Sequence, residues 1–200
     1  VLRARLACAV VALLALAGCQ STDATPPPSP SPASSAIASP QDPARYASKV
    51  REYARNAAVN PTLLMAILYN ESDKPHDPET ERAWQKIKPD AAFGIANMHK
   101  AAFDDTRRGR DFATRDWQDL PDDPDLAIKA AAWFLHDLAT QLPPKWPGPY
   151  THDELLALGY DAGASAMKAF TRGEKPGTVA QNYLDRWRAN IAAAEHALAS

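Results

Sequence analysis

The run AILYNES at 66–72 ends an apolar stripe on a carboxylate, Glu71, and this is the residue of the chain best placed for acid–base chemistry. Written as a helix from Pro61, the segment PTLLMAILYNES puts Leu64, Leu68 and Glu71 at i, i+4 and i+7, so the acid continues the row that should face the core. Two forces are expected to keep its proton on. Partial burial disfavours the charged form, and the last turn of a helix carries the negative end of the macrodipole. Cleavage of a glycosidic bond needs an acid that is protonated near neutral pH in this way. Taken alone, Glu71 also fits a structural glutamate paired with an arginine.

The elements that must hold this acid read as helices throughout 44–200, which we take as one domain. Residues 44–58 read as a helix, and Asn60 followed by Pro61 marks an N-cap and first turn for the Glu71 helix. Residues 124–142 form the longest apolar helical pattern, with Ile128, Ala132 or Trp133, Leu135 and Leu138 inward, and are expected to be the central helix. After the breaker PPKWPGPY, Thr151 with Glu154 has the pattern of a capping box; Thr178 with Gln181 repeats it before the last helix. No alternating β-type run and no internal repeat is visible. The expectation is an all-α domain of about six to eight helices, with irregular stretches near 73–93 and 104–123 as candidate cleft walls.

The start of the chain has a different composition. Arg3 and Arg5 precede an apolar and small-residue run to Gly18 and then Cys19, the anatomy of a signal peptide over 1–18. The ending Leu16-Ala17-Gly18-Cys19 resembles the lipobox of bacterial lipoproteins, which implies lipidation of Cys19 and anchoring at a cell surface or periplasmic membrane face. Residues 19–43 are dominated by Pro, Ser and Ala, and are expected to form a disordered tether that reaches on the order of 70 Å when fully extended. Of the two cysteines, Cys8 lies in this leader and Cys19 at the expected lipid site, so the domain has no thiol for disulfides, nucleophilic catalysis or thiolate metal sites. Net charge is −2, or −2 − 2 = −4 without the two leader arginines, which gives no basic field to draw nucleic acid.

Three segments stand in order: NPTLLMAILYNES at 60–72, AAFGIANMHKAAF at 91–103 and LALGYDAGASAMKAF at 156–170, followed by QNYLDRW at 181–187. Together they resemble the soluble lytic transglycosylases and goose-type lysozymes, in which a Glu-Ser at a helix end precedes a Gly-Leu-Met-Gln-like turn and an Ala-Tyr-Asn-Ala-Gly segment. The resemblance implies a lysozyme-like fold and cleavage of the β-1,4 bond between N-acetylmuramic acid and N-acetylglucosamine in peptidoglycan. Glu71 would be acid and base, and attack by the muramic 6-hydroxyl would give a 1,6-anhydro product without a second carboxylate. It further implies substrate contacts at Gly94, Ile95, Asn97, Tyr160, Asp161 and Gly163, and a phenolic hydrogen bond from Tyr183 to Glu71.

Some positions depart from the family pattern. Asn97 stands where Gln is usual, Asp161 where Asn is usual, and Ala91, Ala92 and Phe93 replace the serine before the glycine turn. The spacing from Glu71 to that turn is long, and Asp90 within it is a candidate second acid. The five histidines show no metal-ligand spacing, and no metal or cofactor is expected. Of the tryptophans, Trp133 and Trp187 read as core, and Trp84, Trp117 and Trp146 as loop anchors or sugar platforms. A monomeric murein-cleaving lipoprotein is the leading expectation. A hydrolytic goose-type muramidase, a non-catalytic peptidoglycan-binding lipoprotein, and a helical scaffold for another wall enzyme are the alternatives.

Overall fold

Side-chain caps open most of the helices, as the sequence marks them. In a computed structural model that describes residues 42–72 and 76–200, a 3-10 helix, Pro43–Tyr46, runs into α1, Ala47–Asn56. Helix α2, Pro61–Glu71, starts where Asn60 Oδ1 accepts the Thr62 amide at 2.9 Å. Helix α5, Pro124–Ala139, is capped by Asp123, and α6, His152–Thr171, opens on a complete Thr151–Glu154 capping box. The last helix, α7, is Thr178–Ala199, and here the expected box is not formed. Gly177 is the N-cap, which places Thr178 inside the helix, one residue too late for its hydroxyl to close the box; Gln181 Nε2 instead donates to Asp185 Oδ1 at 2.9 Å.

The stretch expected to be irregular at 73–93 contains a further helix, α3, Pro78–Ile87. Asp77 caps it, proline occupies the first position, and Glu79 and Glu81 lie in its first turn, where acids complement the helix dipole. A short antiparallel hairpin follows, β1 (Ala92–Phe93) and β2 (Met98–His99), leading into α4, Lys100–Thr106. The turns after α4 are irregular, as expected, and a 3-10 helix, Trp117–Asp119, closes them. Arg107 Nη1 ties them down by donating to the carbonyls of Ala113 at 3.2 Å and Arg115 at 2.6 Å. The leader at 1–18, Cys19 and the tether through residue 41 lie outside the described residues. Asp42 and Pro43 belong to the fold, with Pro43 buried. Among the described residues no helix is long and apolar enough to cross a membrane.

The centre of the domain is α2, not α5. Leu63 to Leu68 are buried without a gap, and the helix packs against α7, α1 and α6. Helix α5 packs against α1, α4 and α6, but Lys129, Trp133, His136 and Asp137 keep one of its sides partly in water. Trp133 is accordingly half-buried, with the Arg110 guanidinium 4.6 Å from its ring centre. Trp187 is core as expected, and its indole donates to the Leu63 carbonyl at 3.4 Å, part of the α2–α7 seam. Trp117 and Trp146 anchor loops through the carbonyls of Met98 and Tyr150, whereas Trp84 stands exposed on α3.

Asp125 fastens α1 to α5 by accepting the Tyr53 hydroxyl at 2.5 Å, with Lys49 Nζ 3.1 Å from its other oxygen. Burial pushes the Asp125 carboxyl up, but hydrogen bonds from Tyr53 and Lys49 and the charges of Lys49 and Lys129 outweigh it and hold the group below its ordinary value. A depressed carboxyl contributes stability that is fully present above the unfolded value of about 4 and is lost as pH falls through the folded one. Asp125→Asn is therefore expected to flatten the acid limb of the stability curve, measured by urea unfolding from about pH 6 down to pH 2.

Candidate active site

Glu71 is the last residue of α2 and is 6% exposed. Its Oε1 accepts the Tyr183 hydroxyl at 3.1 Å, and its Oε2 accepts Nδ2 of Asn97 at 2.8 Å. The carboxyl is thus enclosed with a donor on each oxygen, each from a different element. Tyr183 remains a donor at any ordinary pH, because burial, and after it the negative charge of Glu71, raises its phenol well above the usual value. Its place on α7 is fixed from α2 itself. Asn70 Nδ2 donates to the Tyr183 carbonyl at 3.0 Å, and Asn190 Nδ2 donates to Asn70 Oδ1 at 2.8 Å.

The second donor comes from the turn of the hairpin. Ala92 pairs with His99 and Phe93 with Met98, which leaves residues 94–97 as a four-residue loop closed by the Asn97 amide on the Gly94 carbonyl at 2.7 Å. Gly94 and Asn97 both have positive φ, +74° and +47°, a region that glycine enters freely and asparagine more readily than most residues. A Cβ on Gly94 would lie 2.8 Å from the Leu120 carbonyl oxygen. The glycine thus admits the backbone before α5, where approach of a sugar was the expected reason. Asn97 was expected to meet substrate; its amide is directed at Glu71, although the residue still lines the cleft. Ile95 packs against the core and does not line the cleft.

The cleft over Glu71 has a volume of about 170 Å³, and its walls include Tyr160 and Asp161 as well as Asn97 and Tyr183. Tyr160 donates to the Ala96 carbonyl at 2.6 Å, which straps the hairpin to α6; burial, then the charge of Glu71, raises its phenol well above the ordinary value. Asp161 is exposed beside it. Gly163 interrupts α6 at φ 84° and ψ 165°, a backbone region that is essentially glycine's alone, and so bends the helix next to the cleft. Asp90 is exposed and is not brought into the cleft; its carbonyl is 2.8 Å from His99 Nδ1. A more apolar pocket of about 320 Å³ adjoins, with Met98, Ala102, Phe134 and Gly163 in its wall and Asn97, His99, Tyr160 and Asp161 shared with the cleft.

Sequence reasoning did not single out Asn70, His99 or Arg186, which also line the cleft. The spacing of Tyr183, Arg186 and Asn190, at i, i+3 and i+7, is the signal that could have found Arg186 as part of a polar stripe on α7. Among the described residues, no group of three or more His, Cys, Asp and Glu could hold a metal ion.

Gly94→Ala is expected to lower the unfolding free energy by about 1–3 kcal/mol, since it adds a Cβ clash to an unfavourable φ. Gly109→Ala is the control: its φ is +73°, but nothing lies within 4 Å of the added Cβ, so its loss in the same urea titration is the smaller of the two.

No curated protein matches the chain. The family model for the transglycosylase SLT domain matches residues 48–181, a segment that holds Glu71, the glycine turn with Asn97, and Tyr160 with Asp161, and that stops just short of Tyr183. The chain has the lysozyme-like helical fold and belongs to the transglycosylase SLT domain family, whose members are lytic transglycosylases acting on peptidoglycan.

Proposed function

We propose that this chain cleaves the β-1,4 bond between N-acetylmuramic acid and N-acetylglucosamine, with Glu71 as its single acid and base. The observation that carries this reading is one buried carboxylate with each oxygen held by a donor from a different element, at the floor of a polar cleft. Protonated Glu71 gives its proton to the glycosidic oxygen as the bond from the muramic C1 to that oxygen breaks. The resulting carboxylate then takes the proton of the muramic 6-hydroxyl as that oxygen bonds to C1. A 1,6-anhydro end forms, no water is consumed, and Glu71 is reprotonated. Tyr183 and Asn97 keep the carboxyl in place through both half-reactions, because a donor on each oxygen is most strongly engaged when the group is charged.

Asp161 supports a second reading. It lines the same cleft as Glu71, where its carboxylate would orient water for hydrolysis as a second acid. For the whole chain, the leader and Cys19 support a secreted protein held at the membrane by lipid, with the Pro- and Ser-rich segment as spacer to the wall.

Digestion of purified peptidoglycan by the chain, with mass spectrometry of the soluble fragments, tests these readings. Glu71→Gln should reduce fragment release on the order of 10²- to 10⁴-fold, the usual contribution of a general acid. Asp161→Asn, which restores the family's usual amide, should still release anhydro-muropeptides. Products with reducing ends that vanish in Asp161→Asn would instead assign hydrolysis. Wild-type protein that pellets with the wall and releases nothing would leave a binding module.

A further inference from the structure

Glu81 on α3 and His76 just before it are nearly enclosed, with side chains 12% and 8% exposed, yet neither lines the cleft. Glu81 Oε1 lies 2.8 Å from His76 Nδ1, and Glu81 Oε2 accepts the Gly94 amide at 2.9 Å. The other ring nitrogen, His76 Nε2, lies 3.1 Å from the backbone carbonyl of Glu71. A carbonyl can only accept, so Nε2 carries a hydrogen; the bond between Nδ1 and the carboxyl requires another. The Nε2 contact also meets a carbonyl of the last turn of α2, one of the groups that a helix leaves without an internal partner.

The bonds form one chain, from the Glu71 carbonyl through His76 and Glu81 to the Gly94 amide. Its two ends are the two pieces of backbone that must stay in register for Asn97 Nδ2 to meet Glu71 Oε2, since Gly94 opens the turn that Asn97 closes. Two other ties of the hairpin lead away from α2. The Ala96 carbonyl goes to Tyr160 on α6, and the Met98 carbonyl to the Trp117 indole. The segment between the acid and the glycine turn, long by comparison with the family pattern, supplies both members of the pair. We propose that His76 and Glu81 are positioning residues that fix the distance between Glu71 and the Asn97 amide, an inference that rests on Glu71 being the catalytic acid.

Four variants of the full chain test this: Glu81→Ala, His76→Ala, the double variant that combines them, and Glu81→Gln. A glutamine at 81 can satisfy every partner with a neutral imidazole, because its carbonyl accepts the Gly94 amide and its NH2 donates to Nδ1. Glu81→Ala and His76→Ala should each lower kcat for fragment release on the order of 10- to 100-fold with KM little changed, the size expected when a reacting group is misplaced. The double variant should be no worse than the poorer single one, and Glu81→Gln should recover most of the loss. Each variant is also followed by amide hydrogen exchange at Gly94 and by the NMR signal of the Asn97 side-chain amide. In Glu81→Ala the Gly94 amide should lose protection and the Asn97 signal should move, while helix content is retained.

An unchanged kcat in Glu81→Ala, a Glu81→Gln variant as poor as Glu81→Ala, or an Asn97 signal that stays in place would each overturn the proposal. Wild-type protein that releases nothing, with an Asn97 signal that moves in Glu81→Ala, would overturn the catalytic reading of Glu71 and leave the pair as the device that holds Asn97 to it.

Discussion

A carboxyl group taken out of water at the end of a helix needs its hydrogen-bonding capacity met by other parts of the chain, and at Glu71 two separate elements meet it. Tyr183 comes from α7, more than a hundred residues later, and Asn97 from the turn of a hairpin. Much of the surrounding structure serves this arrangement. The long apolar seam between α2 and α7 brings the phenol to Oε1, and the left-handed turn from Gly94 to Asn97 aims the amide at Oε2. Each bond is worth about 1 kcal/mol or somewhat more when the acceptor is charged. Their main consequence is geometric: with a donor on each oxygen, the carboxyl is held in one orientation.

The polar contacts around the site connect pieces of backbone that packing alone would leave free to slide. Asn70 sits inside the α2–α7 seam at 4% exposure and spends its amide on the carbonyl of the residue that holds Glu71. Tyr160 reaches from α6 to the carbonyl next to Asn97. The bend at Gly163 then ends the first arm of α6 just after Tyr160 and Asp161, so these residues line the cleft, with Ala162 in the adjoining apolar pocket. Both tyrosines stay protonated under ordinary conditions for the same reason, a buried hydroxyl close to a carboxylate.

Local signals in the sequence were read correctly where a cap and its first turn stand together, as at Asn60-Pro61 and Thr151 with Glu154. Helix α3 carries the same kind of signal in Asp77-Pro78 with Glu79 and Glu81, and it was missed because a segment rich in charge and proline also fits a loop. Thr178 shows the opposite error. The residue pattern of a capping box was present, but Gly177 took the cap and moved the register by one. The central position of α2 follows from its being apolar on nearly every side, whereas α5, longer and strongly apolar, keeps one side partly in water.

The sequence by itself determined that this is a helical domain without thiols, and that Glu71 ends a buried stripe in company with a glycine turn and two later tyrosines. Helical periodicity and capping are local properties, and the order of short motifs survives without knowledge of their contacts. Only the tertiary structure decided what each companion does. Gly94 makes room for the Leu120 carbonyl, Asn97 turns its amide to Glu71, Asp161 and not Asp90 reaches the cleft, and His76 with Glu81 links the acid's helix to the hairpin. These roles depend on distances between residues far apart in the chain, and such distances are set by the packing of the elements against one another.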